Sequence, residues 1–303
     1  MDIMSEMLSF IEIRQPERAG RPSTDLKDVC FALALKTFTG LSSRRLHSEL
    51  NVARQLGYIS STMHFTNVMR YLGAAEMSLL LRALLKLSAL PVKQMSSGMF
   101  SVDSTGFSTS QFSRWVDHRY DKELVKREWV KCHAMIENTS NVVVSAKITD
   151  GYAADSPRFE RLVCEASKTF RIREVCADMA YNSRKNLEIV SRIGGQAFIP
   201  FRSISTDKWR GSLIWQKMYR YFKSSPQDFY EHYHQRSNVE STFAMVKQKF
   251  GSSLRARNFT GQQNEVMLRL ICHNCCCLLH EYFELNVEKY FTTQTPKIVI
   301  RRT

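Results

Sequence analysis

The stretch Tyr233-His234-Gln235-Arg236-Ser237-Asn238-Val239-Glu240-Ser241-Thr242-Phe243-Ala244-Met245-Val246-Lys247 decides how the chain is read. It contains no Gly or Pro, so nothing in it forbids one continuous helix. On a helical wheel at about 100° per residue, Val239, Phe243, Val246 and Phe250 form a core-facing stripe. Tyr233, Arg236, Glu240 and Lys247 share a second arc about 80° round from the first. A phenol, a guanidinium, a carboxylate and an ammonium are thereby gathered on one flank. An ordinary solvated face with an i,i+4 Arg–Glu pair would look the same. Residues upstream must decide between the two readings.

Upstream, the pattern alternates between strand and helix. Met99 to Val102 is a short apolar strand leading into Asp103-Ser104-Thr105-Gly106. Glu128 to Met135 alternates, with Trp129, Lys131 and His133 on one side and Val130, Cys132 and Ala134 on the other. Asn138 to Asn141 predict a turn, and Val142 to Ile148 a third strand. Ser156-Pro157 opens a helix that runs to about Thr169. Ile172 to Ala177 is a buried-type strand that delivers Asp178, followed by a helix from Ser183 to Arg192 and a strand from Gln196 to Pro200. Three antiparallel strands followed by helix-linked parallel ones predict an α/β fold, a mixed five-stranded sheet flanked by helices.

Within that order two acids stand out by position. Asp103 ends the first strand and Asp178 the fourth. If those strands are neighbours, both carboxylates leave the same sheet edge, where α/β sheets place their chemistry. A helix lying across the sheet brings Glu240 to the same point. Three converging carboxylates repel one another unless cations fill the gap, and all-oxygen ligation suits Mg²⁺ or Mn²⁺. Two such ions about 3.5–4 Å apart activate an attacking oxygen and stabilise a leaving one in phosphodiester chemistry. Asp155, beside Ser156-Pro157, reads instead as a helix cap.

Charge points to the partner. The chain has 303 residues with 43 Lys+Arg against 29 Asp+Glu, a net +14, which favours a polyanion, nucleic acid before membrane surface. No signal peptide or bilayer-length apolar stretch is evident, so a cytoplasmic, nucleoid-associated protein is expected. The cluster Cys272, His273, Cys275, Cys276, Cys277 lacks a second ligand pair and reads as part of an apolar helix. Cys30, Cys132, Cys164 and Cys176 read as small buried hydrophobes. Residues 1–22 read as a polar lead-in with little order. Residues 23–92 read as a compact domain of four short helices closed by Gly40, Gly57, Gly73 and Pro91. Arg44, Arg45, Arg54 and Arg70 on its second and third helices suit a helix-turn-helix reader of DNA, although a plain bundle with solvated arginines has the same pattern. Between about 202 and 230, Lys208, Trp209, Arg210, Trp215, Lys217, Tyr219, Arg220, Tyr221 and Lys223 interleave cations with rings, as stacking on nucleic acid requires and as an amphipathic surface helix also displays.

These motifs resemble a DDE transposase of prokaryotic insertion sequences, which has a ribonuclease-H-like catalytic domain. Val102-Asp103-Ser104-Thr105-Gly106-Phe107 resembles the first-Asp motif, Trp129-Val130-Lys131-Cys132-His133 the second strand, and Ala177-Asp178-Met179-Ala180-Tyr181 the second-Asp motif. Ile199-Pro200-Phe201-Arg202 resembles the strand end beyond it. Tyr233, Arg236, Glu240 and Lys247 match the Tyr-two-Arg-three-Glu-six-Lys signature at every spacing. Met179 and Ala180 depart from it mildly, where a small or basic residue followed by Gly is common.

The resemblance implies a ribonuclease-H-like domain over residues 95–290 with the basic, aromatic insertion, and a tail at 291–303. It implies that Asp103, Asp178 and Glu240 are catalytic and bind two Mg²⁺ ions, with Mn²⁺ as a substitute. Arg236 and Lys247 would hold phosphates and Tyr233 the terminal nucleotide, with Trp209 and Arg210 in the DNA-contacting insertion. For Lys131 and His133 it leaves two readings, DNA contact or, for His133, a satisfied strand histidine. The partner would be double-stranded DNA, terminal inverted repeats and target, bound by a homodimer. The reaction would be phosphodiester cleavage at the transposon ends and joining of the 3′-hydroxyls to target DNA. Two alternatives are a ribonuclease-H-like nuclease without strand transfer and a domesticated, non-catalytic DNA-binding protein.

Overall fold

The computed structural model of the chain describes residues 1–14, 24–109, 129–208, 211–285, 291 and 295–301. In chain order its elements are α1 (Asp2–Ser9), β1 (Ile11–Arg14), α2 (Leu26–Thr39), α3 (Leu46–Gln55), α4 (Phe65–Leu72) and α5 (Ala75–Ala89). There follow β2 (Met99–Ser108), β3 (Trp129–Glu137), β4 (Val143–Asp150), α6 (Ser156–Ser167), β5 (Glu174–Ala177), α7 (Arg184–Arg192) and β6 (Gln196–Phe198). The last are α8 (Leu213–Ser224), α9 (Pro226–His234), α10 (Ser237–Phe250), α11 (Phe259–Leu285) and β7 (Ile298–Arg301). The chain divides into two compact units: Val92–Gly106 with Lys131–Met245, and Met1–Pro91 with Phe107–Val130 and Val246–Thr303.

The first unit holds the sheet. Its strand order is β4-β3-β2-β5-β6, the mixed five-stranded sheet flanked by helices that the pattern predicts. β3 turns into β4 by a tight connection in which the Val142 carbonyl accepts the Glu137 N–H at 2.9 Å. Asn141 holds a left-handed φ of 57° there, a conformation asparagine tolerates better than most residues. β2 and β5 are parallel neighbours, with Phe100 opposite Val175 and Val102 opposite Ala177. All four of those side chains are buried. α7 starts where Ser183 caps the Asn186 N–H. Phe198 on β6 gathers Phe229 and Tyr221 from the two helices after it, with ring centroids at 5.5 and 6.2 Å.

The second unit is helical. α11 is the long axis against which α5, α2 and α4 pack. Val29, Leu33, Leu80, Leu84, Leu87, Val266, Leu270 and Ile271 make its core, each at most 1 % exposed. Asn264 stitches the α4–α5 corner: its amide donates to the Leu72 carbonyl at 2.8 Å and its oxygen accepts from Ser78 at 2.7 Å. Gly40 closes α2 at φ 67°, as expected for a left-handed cap.

Three expectations are corrected. The opening residues are not an unordered lead-in, because α1 buries Ile3, Met4, Met7 and Leu8 and β1 pairs in parallel with β7, Ile11 opposite Ile298. The interleaved Asp2, Ser5 and Glu6 hide that stripe in a composition reading. β2 is ten residues long rather than four, running through the polar Asp103–Gly106. Cys164 is exposed on α6. Among the described residues, no helix is long and apolar enough to cross a membrane.

Candidate active site

Because β2 and β5 run parallel with Val102 opposite Ala177, Asp103 and Asp178 are the next residues on neighbouring strands and leave the same edge. Asp103 is mostly buried and takes the Ser104 N–H at 2.8 Å. Asp178 caps the short turn Met179–Tyr181 through the Ala180 N–H at 2.9 Å. Tyr181, three residues on, is fully buried, and burial together with the charges of Asp155 and Asp103 raises its phenol pKa.

The expected single helix from Tyr233 to Lys247 is broken. α9 ends at His234, α10 begins at Ser237, and Gln235–Arg236 form a corner. Backbone bonds across it span three residues: Arg236 N–H to Tyr233, Asn238 N–H to Gln235 and Val239 N–H to Arg236, at 2.9, 3.2 and 3.1 Å. Such tightening replaces the α-helical bonds. Two strand residues hold the corner. The Ser101 hydroxyl donates to the Gln235 carbonyl at 3.0 Å, and the Cys176 thiol to the His232 carbonyl at 3.2 Å. Ser101 and Cys176 each stand two residues before an acid, on the two strands that carry Asp103 and Asp178. Burial pushes the Cys176 thiol up to about 12, so it stays a neutral donor.

The corner aims Arg236 at the acids. Its Nη1 meets Asp103 Oδ2 at 2.8 Å while Nη2 meets Glu240 Oε1. One guanidinium thus joins the strand acid to the helix acid. Burial raises the Asp103 pKa first, and the charges of Asp178 and Glu240 push it the same way, against the Ser104 N–H and Arg236. Burial pulls the Arg236 pKa down, but Tyr233, Asp103 and Glu240 outweigh it and the net shift is upward. Tyr233, at the end of α9, lies with its ring centroid 6.0 Å from the Arg236 guanidinium. Burial raises its pKa, and Asp178 and Glu240 add to the rise. The charges of Asp178, Glu240 and Arg236 therefore bear together on Asp103 and Tyr233.

The other candidates make contacts of their own. Lys247 stands on α10 in the helical unit, its ammonium 5.5 Å from the Phe107 ring centroid. Lys131 and His133 turn to Asp155, with Lys131 Nζ 2.8 Å and His133 Nδ1 3.2 Å from Oδ1. His133 Nε2 also meets the Thr149 hydroxyl at 2.9 Å, which makes it a fully buried strand histidine with one ring nitrogen hydrogen-bonded and the other beside Asp155. Asp155, expected as a helix cap, makes no side-chain cap bond and is the hub of this network. Two nitrogen-bearing side chains on one strand face, Lys131 and His133, are the signal that a half-buried carboxylate serves them. Trp209 and Arg210 lie outside the described residues. Nearby rings turn inward: Trp215 is buried against Phe201 at 4.9 Å with Arg184 stacked over it at 4.3 Å. Trp215 is thus a core residue rather than a rung of a stacking ladder, and the half-buried Tyr221 packs on Phe198 and Phe229. What sequence reasoning missed is the double clasp by Arg236 and the Ser101–Cys176 pins.

Residues 96–275 match the family model described as "Transposase DDE domain". The chain belongs to that transposase family. Among solved structures it resembles a piggyBac transposase synaptic complex with hairpin DNA, at 12% identity and TM-score 0.47, over 95% of this chain and 73% of that one. It also resembles a Mos1 transposase paired-end complex with left transposon end, at 10% identity and TM-score 0.25, over 78% and 82%. A third is a Mos1 mariner paired-end complex with Mn, at 11% identity and TM-score 0.26, over 79% and 83%. Overlaps of this size are too loose to transfer residue roles.

Whether the acids suit a divalent ion is a question of chemistry first. Three carboxylates offer only oxygen, the donor set of Mg²⁺ and Mn²⁺. Among the described residues no group of three His, Cys, Asp or Glu side chains stands close enough to hold a metal ion. Arg236 spans Asp103 and Glu240 in that arrangement, and Glu240 is the exposed, three-torsion member of the set. The donor types suit such an ion, while the side chains as they stand are held by the guanidinium, the competing cation, and are not gathered to bind one.

Proposed function

We propose that this chain is the transposase of a prokaryotic insertion sequence, in the Tyr-Arg-Glu-Lys subgroup. It cleaves phosphodiesters at the transposon ends and joins the freed 3′-hydroxyls to target DNA. The observation that carries the reading is the clasp of Arg236 on Asp103 and Glu240 at the sheet edge shared with Asp178. Asp103, Asp178 and Glu240 would hold two Mg²⁺ ions, with Mn²⁺ as a substitute. When bound, such ions activate the attacking oxygen and stabilise the leaving one. Arg236 then exchanges its carboxylate partners for a DNA phosphate, which suits a planar, bidentate donor. Tyr233 lies beside it to meet the terminal nucleotide. The helices of residues 23–92, with the exposed Arg44, Arg45, Arg54 and Arg70, would contact duplex DNA, consistent with the net +14.

The test is cleavage of a duplex carrying the element's terminal inverted repeats, with Mg²⁺, by wild type and by Asp103→Asn, Asp178→Asn and Glu240→Gln. Wild type should cut at the ends and join strands. Each variant should lose activity by a factor on the order of 10³ or more while still binding DNA. Full activity in Asp103→Asn would refute the proposal, and cutting without joining would reduce it to a nuclease.

A further inference from the structure

The helical unit contains a cationic cavity that the carboxylate site does not use. About 230 Å³ in volume, it opens between α2, α4, the segment after α10 and α11, several times the roughly 30 Å³ share of one water. Lys36, Arg255 and Arg269 bring three positive charges to its walls, and Glu265 one negative charge. The carboxylate is fully engaged: it accepts the Arg255 and Ala256 N–H groups, both at 2.9 Å, and the Arg269 guanidinium at 2.7 Å. Arg269 is buried and spends its other hydrogens on the Gly251 and Ser253 carbonyls, both at 2.6 Å. This pair forms a rigid floor.

Above the floor two cations are left over. Lys36 and Arg255 have no acidic side-chain partner among the described residues, and the Arg255 guanidinium reaches only the Gly40 carbonyl at 3.4 Å. Burial lowers the Lys36 pKa, and Arg255 and Arg269 lower it further against the pull of Glu265. A partly buried ammonium beside the exposed Arg255 guanidinium is unfavourable unless an anion completes them. An ammonium as a point charge beside a planar guanidinium is the donor combination that phosphate takes.

We propose that this cavity binds one backbone phosphate of duplex DNA, gripped by Lys36 and Arg255 above the Arg269–Glu265 floor. The choice of a DNA phosphate over free phosphate rests on the transposase reading. The test uses full-length protein and a labelled transposon-end duplex, with anisotropy titrations over about 50–300 mM salt. Lys36→Met retains the apolar stem and Arg255→Gln much of the length, and thermal melting checks that both fold. Each should weaken binding about fivefold near 150 mM salt and reduce the slope of log affinity against log salt by about one. Wild-type affinity and slope in both folded variants would overturn the proposal. Inorganic phosphate that raises the melting temperature of wild type but not of the variants, with DNA binding unchanged, would make the cavity a free-anion site and likewise overturn it. Wild type that binds no duplex would sink the transposase reading itself, and this inference with it.

Discussion

Acid should loosen the sheet-bearing unit through His133 in particular. The imidazole is fully buried on β3. Burial drives its pKa from the usual 6.5 to about 4, with Lys131 and Arg158 adding to the fall and Asp155 opposing it. The folded chain therefore keeps His133 neutral where the unfolded chain has already taken up a proton. Its contribution is present in full above pH 6.5, fades as the pH falls from there to about 4, and is constant below. At pH 5 the solution lies about 1.5 units under the unfolded value and still above the folded one. At about 1.4 kcal/mol per unit, the loss is on the order of 2 kcal/mol. Urea unfolding followed by tryptophan fluorescence at pH 7.5 and pH 5, in wild type and His133→Gln, measures it. Other groups titrate in both proteins, so the informative quantity is the difference between the two pH-induced losses. Wild type should lose about 2 kcal/mol more than the variant. Equal losses would mean that His133 is already charged in the fold, and the Asp155 network would need a different account.

Two further changes probe the clasp and the floor. In Arg236→Ala the competing cation is gone, so Mn²⁺ or Mg²⁺ should raise the melting temperature more than in wild type while strand cleavage falls. A smaller metal-induced rise would show that the guanidinium assists the ions instead of competing with them. Arg269→Met leaves the Glu265 carboxylate and two carbonyls without their buried donor and should cost about 3–5 kcal/mol in chemical denaturation. A loss under about 1 kcal/mol would mean that water replaces the guanidinium at no great cost.

The acids were legible because each follows a buried apolar run, although only Asp178 follows a true strand end, since β2 continues to Ser108. Val102 and Ala177 are the last apolar residues of buried runs, and the next residue in each case is delivered to the sheet edge. The spacing of Arg236, Glu240 and Lys247 was also legible, but their geometry was not. A stretch without Gly or Pro gives no local reason to break at Gln235. The break stems from two strand side chains, Ser101 and Cys176, which satisfy carbonyls that a straight helix would have kept. Their partners lie 134 and 56 residues away in the chain. Asp155 misled for a related reason: beside Ser156-Pro157 its local role is a cap, and only the fold brings Lys131 and His133 to it. Local chemistry placed the elements, and long-range bonds re-aimed their ends.

The two-stranded ribbon of β1 and β7 has a consequence for how the molecule is made. Its register sets Ile11 against Ile298, so roughly 290 residues must be brought round before the first bond can close. In a bare chain that costs about 5 kcal/mol of entropy, more than four residue pairs return. Docking of α11 on α5 and α2 removes most of that cost by carrying β7 to its partner. On the ribosome, β1 is therefore among the last strands to be paired, waiting while the residues between it and β7 are translated.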